Sequence, residues 1–274
     1  MFNEKELCAK ARAMRNTILD MAFRTGKAAH FGGSLSSVEL VTYIYNCFLK
    51  FNTDNRTDAA RDRFILSKGH CVMSYYAALH DAGFLSDDKF AEFEKDGGDL
   101  LSHPVRNLEL GIESSNGSLG QGLSFAVGQQ IAARMKGLSY RNAVLMGDGE
   151  CNEGSVWEAA MTAAQYKLSG LVAIVDNNGL QSDGPVNEIL DIRELLKNWS
   201  ALGFDVYEVD GHDFSSIHSA FSAMDFTNGK PKLVIARTIK GKGVSFMENN
   251  NQWHHEPITQ ELYEQAKAEL AQEE

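Results

Sequence analysis

The stretch from residue 142 to 184 limits the possible folds of this chain more than any other. A short apolar run, residues 143–146, ends in Gly-Asp-Gly, a helical pattern follows, and a second apolar run, residues 171–175, ends in Asp-Asn-Asn-Gly. This order is typical of a crossover unit whose two strands lie parallel in one sheet. Both strand ends then open on the same edge of the sheet, where α/β proteins bind ligands.

Oxygen-bearing side chains follow both of these strands. Asp148 comes after the first strand and Asn178 after the second, and the next turn adds a main-chain carbonyl. Such oxygens suit Mg²⁺, which usually shares its ligands with phosphates and water. Gly147 and Gly149 let the backbone approach a phosphate, and a helix starting near Asn152 would aim free N–H groups at it. The pattern leaves two interpretations open, a metal-bridged diphosphate or two ordinary turns.

The remaining apolar patterns predict an α/β fold with a central parallel sheet, helices on both faces and one domain over residues 1–274. Further strands are expected at residues 61–67, 204–209 and 232–236. Helices are expected at residues 4–24, from Ser34 or Ser36 to 48, at 72–82, 123–135, 214–223 and 259–271, with a helix and a surface turn in 83–100.

Composition excludes several classes of function. The net charge of −11 argues against binding nucleic acid or an anionic membrane. The N-terminus lacks an apolar signal core, and no apolar run has the length of a membrane span. The four cysteines are scattered without a CxxC pair, which predicts reduced thiols and a cytoplasmic location. Cys151 is interpreted as a small residue near a helix start, not as a nucleophile.

Several motifs resemble one enzyme family. GDGECNEG followed by VDNN is similar to the thiamine diphosphate motif, and EGSVWEAAMTAAQYKL is similar to transketolases. The closest resemblance is to the N-terminal half of a transketolase that is split into two chains. The strings HFGGSLS, DRFILSKGH, GSLGQGLSFAVG and WHH also look like loops of this family, so the resemblance covers nearly the whole sequence.

The resemblance implies a thiamine diphosphate-binding fold, with thiamine diphosphate and Mg²⁺ as cofactors. The implied metal ligands are Asp148, Asn178 and the main-chain oxygen of Leu180. The implied cofactor contacts are His70, Gly117, Leu119, Gly147, Gly149, Glu150, Asn178 and His254. The implied catalytic residues, which surround the reactive thiazolium carbon and transfer protons, are His30, His103 and His254, with His254 a better match than His255.

The implied activity is transfer of a two-carbon ketol unit from a ketose or its phosphate to an aldose or its phosphate. In the family, the activating glutamate and the phosphate-binding arginines lie in a pyrimidine-binding domain. After the last expected strand only one short helix remains. The resemblance therefore implies a second chain that carries the pyrimidine domain, an α2β2 assembly, and no activity of this chain alone.

Two alternatives remain from the sequence. One is half of another thiamine enzyme, either similar to deoxyxylulose-phosphate synthase or a 2-oxo acid decarboxylase α chain; GSLGQG and WHH favour transketolase. The other is a cofactor-binding regulatory subunit without catalysis. Ser182, where the family usually has a branched apolar residue, and residues 27–29 before His30 depart from the family pattern.

Two further predictions concern side chains outside the family motifs. Lys240 and Lys242 alternate with glycines at the ligand edge of the sheet. We expect exposed turn lysines, with a contact to the diphosphate as the alternative. His212, in VDGHD, is expected to make a local hydrogen bond within its turn.

Overall fold

A computed structural model describes residues 2–272. Its strands are β1 (Arg63–Leu66), β2 (Asn142–Gly147), β3 (Leu171–Asn177), β4 (Asp205–Asp210) and β5 (Lys232–Arg237). They form one sheet in the order β1-β2-β3-β5-β4, and every neighbouring pair is parallel. The prediction of a central parallel sheet is confirmed.

Helices connect these strands, and helices also precede the first strand and follow the last one. They are α1 (Glu4–Thr25), α2 (Phe31–Ser36), α3 (Val38–Tyr43), α4 (Val72–Asp81), α5 (Asp87–Phe90), α6 (Gln121–Met135), α7 (Gly154–Gln165), α8 (Val186–Ile189), α9 (Leu195–Ala201), α10 (Phe214–Ser222) and α11 (Gln260–Gln272). Within residues 2–272, no helix combines the length and the apolarity that crossing a bilayer requires.

Both faces of the sheet are covered, because successive side chains of a strand point to opposite faces. On β2, Ala143 and Leu145 join an apolar cluster that includes residues of α1, α3, α4, α10 and α11. Val144 and Met146 join a second cluster, with residues of α6, α7 and α9. Burial on both faces explains why the strands read as continuous apolar runs in the sequence.

The glycine pair at residues 32 and 33 lies within a helix and not before one. The helix predicted from Ser34 or Ser36 begins at Phe31, so Gly33 lies inside α2. A Cβ at Gly33 would lie 2.3 Å from the Sγ of Cys71, so the glycine allows α2 to pack against the turn before α4. The rest of the predicted helix is divided into α3 and a π-helical turn.

The helix and surface turn predicted in residues 83–100 are present as α5 and the turns that follow it. Two other details differ from the prediction. The helix expected near Asn152 begins at Gly154, after a 3-10 turn over residues 149–152. Between β3 and β4 the short helices α8 and α9 were not predicted. These segments are too short to show a helical period.

The N-terminal turn of α6 packs closely against the end of β1, beside the edge of the sheet where ligands are expected to bind. A Cβ at Gly122 would lie 2.4 Å from the Oγ and 2.5 Å from the Cβ of Ser67, which follows β1. The N–H of Gly122 donates to the Oγ of Ser67 at 3.1 Å. In the same helix, a Cβ at Gly128 would meet no atom within 4 Å. The two glycines therefore have different roles in one helix.

We predict opposite effects of alanine at these two positions. Gly122→Ala should lower the free energy of unfolding by about 1–3 kcal/mol, because the added carbon overpacks against Ser67. Gly128→Ala should raise it by up to about 1 kcal/mol through helix propensity. Urea denaturation of both variants measures the difference, and effects of the same sign and size would contradict the close approach.

Candidate active site

The two oxygen-bearing turns meet at the carboxyl edge of the sheet, where β2 and β3 end side by side. The Oδ2 of Asp148 accepts a hydrogen bond from the N–H of Gly179 at 2.6 Å. In the same turn, the Oδ1 of Asn178 accepts from the N–H of Leu180 at 3.1 Å. The structure thus places a carboxylate beside the turn that carries an amide oxygen and main-chain carbonyls.

A cavity of about 350 Å³ opens at this edge. Its lining consists of His30, Gly33, Lys68, His70, Gly117, Leu119, Gly147, Asp148, Gly149, Glu150, Asn152, Glu153, Asn178, Leu180, Gln181, Ser182, Lys240 and His254. Every site residue predicted from the sequence, apart from His103, is in this lining.

A larger cavity, of about 630 Å³, lies at the opposite edge of the sheet, where Asp62, Arg141 and Gly170 precede β1, β2 and β3. It contains none of the predicted site residues. Because the chemically distinctive side chains converge on the smaller cavity, we assign the candidate active site there and not to the larger space.

Five histidines form a cluster at the mouth of this cavity. The ring centroid of His30 lies 5.2 Å from that of His70, 5.8 Å from His103 and 5.4 Å from His254. The ring of His255 is nearer still, at 4.3 Å. The structure therefore brings the three predicted catalytic histidines together with His70, and adds His255, which the family resemblance ranks below His254.

Four imidazoles of this cluster, those of His30, His70, His103 and His254, have lowered pKa values and are neutral at pH 7. Burial lowers the pKa of His30 to about 3, and the other imidazoles of the cluster add to the shift. Burial, with the nearby Lys240 ammonium, lowers the pKa of His254 to about 4. The pKa of His70 is well below its usual value, because of burial and the charge of Lys68. Neutral rings of this kind can accept a proton from a hydroxyl group.

A buried ion pair that the sequence did not predict underlies the cavity. Lys68, which follows β1, pairs with Asp176 on β3, and the two side chains are 2% and 0% exposed. Asp176 also accepts from the hydroxyl groups of Ser36 and Thr238. The Nζ of Lys68 also donates to the carbonyl of Gly33 at 2.9 Å. The pair therefore joins β1, α2, β3 and the segment after β5.

Both members of this pair are charged. Burial by itself would lower the pKa of Lys68, but the Asp176 carboxylate outweighs it and the pKa is raised. Burial would raise the pKa of Asp176, yet the Lys68 ammonium holds it below its usual value. One signal was present in the sequence: Asp176 comes directly after a buried apolar run, and Lys68 follows another after a single serine.

Lys240 is not the exposed turn lysine that the sequence predicts. It is 2% exposed, and its Nζ donates to the carbonyl of Gln181 at 2.8 Å and to the Oδ1 of Asn251 at 2.9 Å. Burial lowers its pKa to about 8. The alternation of lysine and glycine could not show that residues 249–254 fold over this turn. Lys242 is partly exposed and pairs with Glu248 at 3.2 Å.

Glu150 has a different environment from the other predicted contacts. Its carboxylate accepts from the N–H of Gly120 at 2.8 Å, from the N–H of Gly147 at 3.1 Å and from the hydroxyl of Ser67. These bonds tie the glycine-rich loop, which carries Leu119, to the ends of β1 and β2. Glu150 therefore lines the cavity with its carboxylate already satisfied, and its contact with a cofactor stays a prediction.

The electrostatics of the cavity suit a cation and a polar ligand. Burial and the neighbouring Asp176 carboxylate raise the pKa of Asp148 to about 6, so the positive charge around this carboxylate does not offset its burial.

Two buried polar atoms of the lining, the Oδ1 of Asn152 and the Nε2 of Gln181, have no hydrogen-bond partner in the described chain. Such atoms usually find a partner in native structures. The fold and the position of the cavity place the chain among the parallel α/β proteins that bind a ligand at the carboxyl edge of the sheet.

Comparison with known proteins identifies the family. The family model described as "Transketolase, thiamine diphosphate binding domain" matches residues 7–274, and the chain belongs to the transketolase family. One subunit of the apulose-4-phosphate transketolase of Phocaeicola vulgatus is 42% identical over 258 residues, which are 94% of this chain and 91% of that protein. The 6-deoxy-6-sulfo-D-fructose transketolase subunit SqwG of Clostridium sp. is 37% identical over 98% of this chain and 97% of that protein.

Longer transketolases share the fold. The crystal structure of transketolase from Campylobacter jejuni matches with a TM-score of 0.91 at 28% identity. The match covers 98% of this chain but 43% of that chain. This chain therefore corresponds in length to the two transketolase subunits named above, and to less than half of the Campylobacter jejuni transketolase chain.

We predict that Asp176→Asn lowers the free energy of unfolding by about 3–5 kcal/mol, because it leaves the Lys68 charge buried without a partner. Asp81→Asn is the matched control, since the Lys10–Asp81 pair has the same chemistry at 2.7 Å but side-chain exposures of 28% and 41%. The control should change stability by less than about 1 kcal/mol. Urea denaturation measures the free energy of unfolding of both variants. Equal decreases would show that the buried pair contributes no more to stability than the exposed pair.

Proposed function

We propose that this chain is the N-terminal subunit of a transketolase that depends on thiamine diphosphate and Mg²⁺. The complete enzyme transfers a two-carbon ketol unit from a ketose or ketose phosphate to an aldose or aldose phosphate. One observation carries the proposal: the oxygens that follow β2 and β3 and the histidine cluster converge on a single cavity. In this proposal residues 1–274 form one diphosphate-binding domain.

The residues of the cavity fit the cofactor and its metal. Asp148, the Oδ1 of Asn178 and the carbonyl of Leu180 are hard oxygen donors of the kind that Mg²⁺ prefers. A bound cation would supply the positive charge that Asp148 lacks. The unpaired Nε2 of Gln181 would donate to a phosphate oxygen. The Lys240 ammonium already donates to the carbonyl of Gln181 and to the Oδ1 of Asn251, and it would attract the phosphate by its charge. Bound thiamine diphosphate supplies the electron sink for the carbon–carbon bond that breaks.

The cofactor contacts proposed from the sequence fit this arrangement in position. His70, Gly117, Leu119, Gly147, Gly149, Glu150, Asn178 and His254 all line the cavity. The N–H of Gly149 donates to the Oδ1 of Asp148 at 2.8 Å, so this carboxylate orients the main chain of the proposed phosphate contact.

In this proposal the histidine cluster binds the substrate hydroxyl groups and transfers protons. His30, His103 and His254 hold the hydroxyl groups of the ketose, and a neutral ring takes the proton of the hydroxyl next to the bond that breaks. The same ring returns the proton when the new bond forms on the aldose. The lowered pKa values of His30 and His254 leave their rings free to accept at pH 7.

A second subunit would complete the enzyme. The two shorter relatives are each named as a transketolase subunit. We propose a partner that carries the pyrimidine-binding domain, an α2β2 assembly, and a cofactor bound between the two kinds of chain, with sugars or sugar phosphates as substrates.

We predict that the purified chain shows only background ketol transfer and that adding its partner raises the rate by at least about 10²-fold, the contribution of a positioned acid–base group. Transfer from a panel of ketose phosphates to aldoses would be followed with and without the partner, with pyruvate decarboxylation as the control reaction. Rapid ketol transfer by the single chain would refute the need for a partner. Decarboxylation without ketol transfer would favour a 2-oxo acid decarboxylase.

We also predict that Asp148→Asn weakens Mg²⁺-dependent binding of thiamine diphosphate by at least about 10-fold, since a charged metal ligand is lost. Calorimetry on the assembled enzyme measures the affinity at fixed Mg²⁺. Asp88→Asn, at an exposed carboxylate, is the control and should leave the affinity unchanged. Unaltered binding by the Asp148 variant would remove this residue from the metal site.

A further inference from the structure

The turn that carries Lys240 into the cavity is held on both sides by side chains from other elements. On one side of Lys240, the N–H of Ile239 donates to the Nε2 of His212 at 2.8 Å. On the other side, the Nε of Arg15 donates to the carbonyl of Lys242 at 3.0 Å. The main chain on both sides of Lys240 is therefore fixed by a long-range hydrogen bond.

One carboxylate joins these two hydrogen bonds. Glu39 on α3 lies 2.6 Å from a guanidinium nitrogen of Arg15 on α1. Its other oxygen lies 3.0 Å from the Nδ1 of His212, which lies between β4 and α10. Arg15 and Glu39 are both buried, at 4% and 6% exposure. We call Arg15, Glu39 and His212 the Glu39 clamp.

The hydrogen bonds determine the protonation of the clamp. A main-chain N–H can only donate, so the Nε2 of His212 is the acceptor and its Nδ1 carries the proton that faces Glu39. Burial by itself would raise the pKa of Glu39, but Arg15 outweighs it and the pKa is lowered. The clamp thus consists of the buried Arg15–Glu39 ion pair and a neutral imidazole. The Nδ1–H of this imidazole donates to Glu39, and its Nε2 accepts from the N–H of Ile239. The local turn bond predicted for His212 is confirmed, because its main-chain N–H donates to the Oδ1 of Asp210 at 2.9 Å, and the side chain adds the two long-range hydrogen bonds that the sequence did not predict.

The clamp also fits closely against the turn. A Cβ at Gly243 would lie 2.7 Å from the Cδ of Arg15, so the turn rests directly on the arginine. The N–H of Gly241 donates to the carbonyl of Gly32 at 2.9 Å, which ties the same turn to α2. No member of the clamp lines the cavity. The turn that carries Lys240 is therefore the segment that connects the clamp to the cavity by hydrogen bonds.

We propose that Arg15, Glu39 and His212 are positioning residues that hold the ammonium of Lys240 in the cavity, where it binds the anionic part of the cofactor. The identity of that anion rests on the function proposed above, whereas the position of Lys240 does not. A turn that contains Gly241 and Gly243 has many accessible conformations, and the clamp selects the one in which the lysine points inward.

The first test measures Lys240 directly, on the chain without cofactor. Amine labelling followed by mass spectrometry should find Lys240 protected in the wild type and labelled severalfold faster in His212→Phe, which loses both hydrogen bonds. His212→Gln should restore protection, because its amide can accept from Ile239 and donate to Glu39. Lys232, buried at the opposite edge of the sheet, is the internal control and should stay protected.

Two further variants keep this test decisive. His80→Phe replaces a histidine on α4 whose ring pairs with Asp87 and makes no hydrogen bond with the clamp, and it should leave Lys240 protected. If His212→Phe does not fold, Glu39→Gln takes its place, and it should also expose Lys240 because it breaks the ion pair with Arg15. Protection of Lys240 that is unchanged in a folded His212→Phe or Glu39→Gln variant would overturn the clamp.

The second test measures the affinity of the assembled enzyme for thiamine diphosphate with Mg²⁺. His212→Phe should weaken binding by about 10-fold, the effect of losing one charged hydrogen bond, and His212→Gln by much less. In a Lys240→Ala background, His212→Phe should add no further loss, because the clamp acts through Lys240.

The two tests separate the clamp from the proposed function. Independent, additive losses in the double variant would show a general structural role and overturn the proposal. If the wild-type assembly binds no thiamine diphosphate, the proposed function fails, and the labelling of Lys240 still decides whether the clamp positions it.

Discussion

The ion pair between Lys68 and Asp176 is the interaction on which the site depends. Two opposite charges buried at the carboxyl edge of the sheet are tolerable only if each has a partner, since burial removes their hydration. The pair reaches across the end of β2 from β1 to β3. Hydroxyl groups from α2 and from the segment after β5 donate further hydrogen bonds to Asp176. The segments that carry His30, His70, Asn178 and Lys240 are thereby brought to one point.

The distribution of charge around this point explains how an acidic chain can bind an anionic cofactor. The net charge of −11 belongs to the whole sequence, whereas the cavity contains two buried lysines, Lys68 and Lys240. The Asp148 carboxylate faces the same space and has a raised pKa, so a cation bound in the proposed metal site would stabilise its charge. The imidazoles stay neutral because burial and the nearby ammonium groups both oppose their protonation.

Much of this arrangement was predictable from the sequence. The five strands were recognised because parallel strands buried on both faces read as short apolar runs that end in polar or glycine residues. Because such strands end at one edge, Asp148 and Asn178 could be placed together from their positions in the chain. The roles of the individual side chains came from the resemblance to transketolases, and eleven predicted site residues line the cavity, with His103 beside His30.

The sequence by itself determined the order of strands and helices, the edge at which ligands bind and the family, because these follow from local periodicity and from motifs within single loops. The tertiary structure decided which side chains beyond those loops reach the site. Lys68 and Asp176 are 108 positions apart, and Glu39 and His212 are 173 apart. No local pattern records which distant carboxylate will neutralise a given lysine, or which imidazole will hold a given turn, because burial and pairing arise only when the elements pack.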